Sequence, residues 1–331
     1  MPIVAIAREK DAFSLVEEAL NTIGVQERVK PDSRVFIKPN LVRAPPLLPY
    51  KDEEGAYEIS VLEGDDIHPE VVEGTLIYLR KLGVRNITIG EAAGGCETTI
   101  PYKAYGFYAM AEKYGAKLID LNYAEAEKVR VPNRFLLDYV WVPKVILEAD
   151  LIINEAILKV HGSTVVTLCL KNWGLGVLPG KYYGWNKTGH RRKGCDAGLP
   201  IHQLGSGETI LGQEVSVSQA IVDVSAAKGW HISLIDGLTS TYHKGFAAKD
   251  RRRIIVERTN MILASEDMVA ADAVASACMS LDPKKILHIK WAEDRGLGTC
   301  DLSRIEVRGA KIEDVKVKGY PLYSQREVMV P

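Results

Sequence analysis

The sequence DLIINEAILKVHG, residues 150–162, carries the strongest structural signal in the chain. Its apolar run predicts a strand over residues 150–157 that is buried on both faces, since such strands lack the polar alternation of half-exposed ones. Beyond that strand the sequence turns polar at Lys159 and His161. Ligands of open α/β sheets bind outside the carboxyl ends of the strands, so these two side chains are expected at a ligand site.

Short apolar segments alternate with amphipathic segments along the rest of the chain. Strands separated by helices form βαβ units, so we expect an α/β protein with mainly parallel sheets and helices on both faces. The other predicted strands cover residues 3–7, 34–40, 86–91, 117–121, 231–236 and 260–265. The predicted helices cover residues 14–23, 69–82, 104–114, 143–148, 214–228 and 267–279.

The chain length of 331 residues corresponds to two domains of ordinary size or to one large unit. We predict two Rossmann-like lobes with a cleft between them. The N-terminal α/β lobe covers residues 1–150, and the C-terminal α/β lobe covers residues 151–331 and contains a long basic loop over residues 178–213. The alternative is one intertwined unit, because no change in composition marks the boundary.

The composition excludes several classes of protein. Hydrophobic residues make up 47% and charged residues 26%, which is typical of a globular chain and not of a disordered one. The net charge of −1 disfavours a nucleic-acid partner. The 5 cysteines form no C-x-x-C pair, so the sequence has no iron–sulfur motif and fits a reducing compartment. With no secretory start and no long apolar stretch, we expect a cytoplasmic protein without a membrane partner.

The charges are segregated along the chain. Residues 52–73 carry acidic side chains and no Lys or Arg, whereas residues 156–195 carry no Asp or Glu at all. The basic residues of this second window include Lys159 and Lys171. A basic window without acids beside apolar strands predicts a pocket for a small anionic ligand. The alternative, for the part around Lys187–Lys193, is a solvated loop.

Other predicted strands also end in polar side chains. Lys38 and Asn40 follow one strand, Glu91 ends a second, and Asp236 ends a third. One such residue alone is more often a cap than a catalyst. Several in one chain point to a common crevice at the carboxyl edge of the sheet.

Lys171 and Asn172 interrupt the apolar segment VVTLCLKNWGLGV, residues 165–177. An ammonium buried without a partner costs several kcal/mol or loses its proton. Lys171 is therefore expected to meet an anion or to act as a base or nucleophile. The alternative is that its amine reaches solvent from a helix end.

Six segments occur in the order found in a widespread prokaryotic family, the domain-of-unknown-function family 362, and the chain resembles it from about residue 30 to 310. The most specific similarity is Lys159-x-His161 followed by Lys171-Asn172. The resemblance implies a fold and candidate positions, but no settled chemistry. This chain lacks the appended segment of clustered cysteines that many members carry. The similar segments are VFIKPNLV, HPEVVEGTLIYLRKLGVRNITIGEAAGG, ADLIINEAILKVHGSTVVTLCLKNWGLGVLPG, LIDGL, ASEDMVAADAVAS and AEDRGLGTCDLSRIEVRG.

We therefore expect an enzyme, of oxidoreductase or of isomerase or lyase type, that binds a small carboxylate or phosphate in the cleft. His161 would transfer a proton, with Glu91 or Asp236 orienting its ring, and Lys171 would complete the catalytic set with His161 and Glu91. The remaining predicted residues would bind the substrate: Lys38, Asn40, Lys159, Thr164, Asn172 and Asp236.

Two alternatives remain open at this stage. A divalent metal would use His161, His190 and Glu91, a mixed nitrogen and oxygen set, although these residues lie far apart in the sequence. The protein could instead be a non-catalytic binder or carrier of an anionic cofactor or of an acidic partner. In that reading the acidic and basic segments are docking surfaces, for example between subunits of a homo-oligomer.

Overall fold

The structure is a computed structural model that describes residues 1–42, 65–94, 96–184, 207–243, 254–319, 321 and 323–330. Its strands are β1 (Ile3–Arg8), β2 (Arg34–Lys38), β3 (Asn86–Glu91), β4 (Lys117–Asp120), β5 (Ala126–Arg130), β6 (Tyr139–Pro143), β7 (Leu151–His161), β8 (Val165–Val166), β9 (Thr209–Ile210), β10 (Gln213–Glu214), β11 (Ile232–His243), β12 (Ile254–Ser265) and β13 (Glu306–Gly309). Its α-helices are α1 (Ala12–Thr22), α2 (Pro69–Lys81), α3 (Thr99–Ala104), α4 (Phe107–Tyr114), α5 (Lys144–Leu147), α6 (Leu168–Gly176), α7 (Gly180–Tyr183), α8 (Val215–Ala227), α9 (Met268–Cys278) and α10 (Leu287–Asp294).

The described strands form one large sheet with the order β13-β1-β12-β11-β7-β2-β3-β4, and β8 pairs with β7. The pairs β11–β7, β7–β2, β2–β3 and β3–β4 are parallel, and β12 runs against both of its neighbours. This mostly parallel sheet confirms the predicted α/β class. Two short hairpins, β5–β6 and β9–β10, lie outside it.

Helices cover both faces of the sheet. On one face α1 and α2 pack against side chains such as Ile37 and Ile153. On the other face α6, α8 and α9 pack against side chains such as Phe36 and Ile152. The side chains of neighbouring residues in a strand point to opposite faces, so β2 and β7 are apolar throughout their central residues.

The chain changes direction between β2 and β7. From β2 it builds outward to β3 and β4, and from β7 it builds the other way to β11 and β12. In doubly wound sheets the ligand crevice lies at such a switch point, outside the carboxyl ends of the two strands. Strands from both sides of residue 150 share this sheet, and the division into two lobes with a cleft stays a prediction.

Several local details differ from the sequence-based expectations. The strand predicted over 150–157 continues to His161, and the strand predicted over 260–265 begins at Ile254. The helix predicted over 104–114 begins only at Phe107, because Gly106 adopts a φ of +73° and separates α4 from α3, which ends at Ala104. The strand predicted over 231–236 continues to His243. The hairpin of β5 and β6 was not predicted. Within the predicted basic loop, residues 185–206 lie outside the described residues.

Asp272, on α9, closes the N-terminus of α6. It is fully buried, and its carboxylate accepts the backbone N–H groups of Cys169 at 2.8 Å and Leu170 at 2.9 Å. Burial raises the pKa of Asp272, and the two N–H groups oppose that rise. The two hydrogen bonds cap the N-terminus of α6 and orient the helix that carries Lys171.

Replacing Asp272 with alanine is expected to lower the free energy of unfolding by about 2–4 kcal/mol, since two buried N–H groups lose their acceptor. Urea unfolding measures this change. The matched control is Asp11→Ala, which removes the exposed cap of α1, where Asp11 accepts from the Ser14 N–H. That control should cost only about 1 kcal/mol. Equal losses in the two variants would contradict the account of Asp272.

Candidate functional site

Lys38 ends β2 and is fully buried at the switch point. Its ammonium donates to Oε2 of Glu91 at 2.8 Å, to the carbonyl oxygen of Pro39 at 2.7 Å and to Oδ1 of Asn172 at 3.1 Å. An ammonium has three donors, and each has an acceptor here. The structure therefore brings the predicted residues Lys38, Glu91 and Asn172 together. The polar groups of Glu91 and Asn172 accept hydrogen bonds from Lys38, so all three donors of its ammonium are used inside the protein.

Glu91, at the end of β3, is equally enclosed. Its carboxylate accepts the N–H groups of Leu41 at 2.8 Å and Ala92 at 2.7 Å in addition to Lys38. Burial raises the pKa of Glu91 and lowers that of Lys38, and each partner opposes the other's shift. A Cβ on Gly176 would lie 2.6 Å from Nζ of Lys38, so only glycine leaves room for the pair at that position of α6.

Asn172 extends this network across the face of the sheet. Its side-chain amide donates to Oδ1 of Asn154 at 2.8 Å and to the carbonyl oxygen of Glu155 at 3.1 Å. Asn154 in turn donates to the carbonyl oxygen of Cys169 at 2.8 Å. These bonds attach α6 to the carboxyl ends of β2 and β7, and they fix the position of the neighbouring Lys171.

Lys159, near the end of β7, lies against the segment that leads into α2. Its side chain is almost fully buried, and Nζ donates to the carbonyl oxygen of Asp65. Burial raises the pKa of Asp66 to about 7, and the charge of Lys159 opposes that rise. The backbone carbonyl oxygen of Asn40 accepts the N–H of Ile67 at 2.9 Å, and no described residue bonds the buried Oδ1 of Asn40.

Lys171 differs from the other two lysines. It lies in the first turn of α6 and is partly exposed. Among the described residues it makes no hydrogen bond and no ion pair. Burial, and then the positive charge of Lys159, lower its pKa to about 7, while Glu214 and Asp65 act in the opposite direction. At neutral pH a substantial fraction of Lys171 is therefore an uncharged amine that is able to accept a proton.

His161 is the last residue of β7 and is partly exposed. Its Nδ1 accepts the backbone N–H of Ser163 at 3.1 Å, so the neutral ring carries its proton on Nε2. The Ser163 hydroxyl donates to Glu214 at 2.6 Å. Thr164, a predicted substrate-binding residue, is buried and donates to the carbonyl oxygen of Val166 at 2.9 Å, which stabilises the turn after β7.

Asp236, predicted to orient His161 or bind substrate, contacts a residue that the sequence reasoning did not single out. Its Oδ2 accepts both the backbone N–H of His68 at 2.8 Å and the ring Nδ1 of His68 at 2.7 Å. Its Oδ1 accepts the N–H of Leu238 at 3.0 Å. His68 precedes Pro69 at the start of α2, and the only available signal was a histidine at a helix N-terminus.

Two buried ionisable residues were also missed. Glu155 lies within β7, and neither of its carboxyl oxygens has a hydrogen-bond partner in the described part of the chain. His288 lies at the start of α10, and both of its ring nitrogens lack a partner there as well. Burial, and then the charge of Lys171, lower the pKa of His288 to about 3, so its ring is neutral. A carboxyl or imidazole inside an apolar run is the sequence signal that could have found them.

The predicted metal set stays a prediction. His190, one of the three predicted ligands, lies in residues 185–206, outside the described residues. Within the described ranges, no three or more His, Cys, Asp or Glu side chains are grouped in a way that could hold a metal ion. Both carboxylate oxygens of Glu91 already accept hydrogen bonds from protein donors.

A surface cavity of about 300 Å³ lies elsewhere, beside β1 and β12. Its charged lining alternates in sign, because Arg8, Arg258 and Lys316 are set among acidic side chains such as Glu257 and Asp314. Such a lining creates no net field for an anion. The anion site predicted from the sequence is therefore better sought at the carboxyl edge of the sheet.

Comparison with known proteins gives two matches. A family model described as a domain of unknown function, DUF362, matches residues 35–277, which is more than half of the chain. The thylakoid-associated protein sll1697 of Synechocystis sp. is 23% identical over 284 residues, which cover 83% of this chain and 71% of that protein. That name describes a location and no reaction. Among the described residues, no helix is long and apolar enough to cross a membrane.

Proposed function

This chain belongs to the DUF362 family, whose description names no activity. We propose, from the geometry of the site, that the protein is an enzyme that acts on a small carboxylate or phosphate. The substrate would bind at the carboxyl ends of β2, β7 and β11. The observation that carries the proposal is Lys171, a partly exposed amine without a hydrogen bond or ion pair among the described residues.

Charge supports an anion at this place. Lys159 and Lys171 repel each other, which is one reason for the lowered pKa of Lys171. A carboxylate or phosphate bound at Lys171 would offset that repulsion and restore the charged form of the amine. Residues 156–195 contain no acidic side chain that competes for this role from within the same segment.

The chemistry that this arrangement supports is proton transfer. Lys171, charged while the anion is bound, would donate a proton to the substrate, because burial and the charge of Lys159 make its ammonium a stronger acid than an ordinary lysine. His161 would hold the substrate by donating a hydrogen bond through Nε2–H, as its hydrogen bond from Ser163 fixes the tautomer. Lys38, Glu91 and Asn172 act on the site by holding α6 in place.

Binding of inorganic phosphate by titration calorimetry tests the anion site. Lys171→Met should raise the dissociation constant at least about tenfold, the loss of one charge-assisted hydrogen bond, and should not lower the melting temperature. The matched control is Lys181→Met, an exposed lysine of the same acid-free window, which should bind phosphate like the wild type. Unchanged affinity in Lys171→Met, or unfolding of that variant, would contradict the proposal.

Catalysis is tested separately with a panel of small carboxylic acids and phosphate esters in heavy water. The measured quantity is the exchange of their carbon-bound hydrogen atoms for deuterium. The wild type should catalyse uptake into at least one compound. Lys171→Met and His161→Ala should lose this exchange and keep their fold. Phosphate binding without exchange of any compound would contradict catalysis and favour a non-catalytic carrier of anions.

A further inference from the structure

The outward face of the β5–β6 hairpin carries basic and aromatic side chains. In the antiparallel register of the two strands, Lys128 is opposite Trp141 and Arg130 is opposite Tyr139. Residues directly opposite each other in an antiparallel pair point to the same face, and so do alternate residues of one strand. The four side chains therefore share one face of the hairpin.

The other face of the hairpin packs against the core of the protein. Val142 is buried there, and Glu127, the acidic residue within β5, lies opposite Val142 and so belongs to this inner face. On the outward face both basic side chains of β5 are exposed, and Tyr139 is 53% exposed. The acidic side chain of β5 is thus separated from its two basic side chains.

Helix α7 extends the outward face. The ring of Tyr182 stacks on that of Trp141, with ring centroids 4.2 Å apart and planes inclined by 8°. The backbone N–H of Trp141 donates to the phenol oxygen of Tyr183 at 2.9 Å, which fixes α7 against β6. Lys181 is exposed beside this stack. We call the following six residues the hairpin face: Lys128, Arg130, Tyr139, Trp141, Lys181 and Tyr182.

The positive charges of the hairpin face are not neutralised by acidic side chains. Nζ of Lys128 lies 5.1 Å from the ring centroid of Tyr139 and 5.2 Å from that of Trp141. Within the described ranges, none of the three basic side chains forms an ion pair or a hydrogen bond. At exposed sites a cation is held over a ring only weakly. The face is therefore complementary to a ligand that carries several negative charges and flat rings.

Single-stranded nucleic acid has both of these properties. Its bases stack on aromatic side chains while its phosphates contact Lys and Arg, whereas the bases of a duplex stay stacked on one another. A membrane surface fits less well, because the six side chains include no aliphatic one that would enter the acyl region. The net charge of −1 excludes a molecule-wide attraction, but charges act locally over about 10 Å at 0.1 M salt.

We infer that the hairpin face binds single-stranded nucleic acid. The phosphates contact its three basic side chains, one base stacks on the exposed ring of Tyr139, and another stacks beside the Trp141–Tyr182 pair. The inference goes beyond the proposed function, because no residue of the hairpin face belongs to the anion site at Lys171. Binding here depends on stacking and on several phosphates, and it involves no chemical step.

Fluorescence anisotropy of a labelled oligothymidylate of about 12 nucleotides tests the inference. Tyr139→Ala should weaken binding about tenfold, because one base loses its stacking partner. The double variant Lys128→Gln with Arg130→Gln should also weaken binding. It should reduce the slope of log affinity against log salt by about 1.4, the value expected for two lost phosphate contacts of a single strand. Thermal unfolding checks that the variants keep their fold, as expected for exposed side chains.

Matched controls lie on other elements. Tyr108→Ala removes a tyrosine of α4 that is 50% exposed, and Lys103→Gln with Lys117→Gln removes two exposed lysines of α3 and β4. These variants and Lys171→Met should bind the oligonucleotide like the wild type. If they weaken binding as much as the hairpin-face variants do, or if the wild type does not bind at about 50 mM salt, the inference is wrong.

Two further outcomes assign the face differently. The inference is overturned if vesicles of phosphatidylserine and phosphatidylcholine, or polyglutamate, bind as well as the oligonucleotide and lose binding in Tyr139→Ala. It is also overturned if only Lys171→Met loses the oligonucleotide, because the phosphates would then occupy the proposed anion site. Failure of the wild type to bind inorganic phosphate would contradict the proposed function and leave the oligonucleotide result to decide the hairpin face.

Discussion

Replacing Glu91 with alanine is expected to lower the free energy of unfolding by about 3–5 kcal/mol. The ammonium of Lys38 would stay in the interior without its carboxylate, and the N–H groups of Leu41 and Ala92 would lose their acceptor. A buried charge left without a partner is among the most destabilising changes a single substitution can make. Urea unfolding measures the loss.

The control for this experiment is an exposed ion pair. Lys81 and Glu17 lie 2.9 Å apart with both side chains largely in solvent, so Glu17→Ala should cost less than about 1 kcal/mol. The double variant Lys38→Met with Glu91→Gln removes both charges together and should recover part of the loss seen in Glu91→Ala. A Glu91→Ala variant as stable as Glu17→Ala would show that the pair does not hold the switch point together.

Anion binding is expected to weaken steeply as the pH rises through neutrality. Sulfate is the suitable probe, because its own charge does not change in this range. The charged form of Lys171 binds the anion, and above a pKa of about 7 this form decreases about tenfold per pH unit. The sulfate dissociation constant should therefore rise by up to about tenfold per unit between pH 7 and pH 9.

The sign of the stability change follows from the same pKa. Lys171 ionises with a pKa of about 7 in the folded protein and with its ordinary value of 10.5 in the unfolded chain. The unfolded chain binds more protons between these values, so Lys171 contributes a rise in stability as the pH increases from 7 to 10.5. In Lys171→Met this contribution and the pH dependence of sulfate binding should both vanish. If sulfate binding by Lys171→Met still weakens steeply as the pH rises, a group other than Lys171 causes that pH dependence.

Much of the fold follows from local patterns. The run LIINEAIL predicts β7, and the alternation of strands and helices predicts a mostly parallel sheet with helices on both faces. Local patterns end at the edges of elements, so the length of β11 and the break at Gly106 were not found. The hairpin of β5 and β6 is exposed on part of its surface, and only its β6 half, YVWVP, is apolar, so no pair of strands was predicted there.

The candidate site could be predicted as a set of residues but not as a set of pairs. Strand ends marked Lys38, Glu91, Lys159, His161 and Asp236 as polar groups at one edge. Which of them neutralise each other depends on contacts between distant residues. Glu91 bonds Lys38 across 53 positions, and Asp236 bonds His68 across 168. No local property of the sequence encodes such a pairing, and an alignment of sequences or a structure is needed to find it.

The most direct test of the account is the pKa of Lys171 itself, because the anion site depends on an amine that no described group neutralises. Protein labelled with ¹³C and ¹⁵N lysine gives the titration by NMR, and the signal is assigned by its loss in Lys171→Arg. The account predicts a pKa near 7 that rises when sulfate is added. A value near the ordinary 10.5, unaffected by sulfate, would show that Lys171 is an ordinary solvated side chain and would contradict the proposed site.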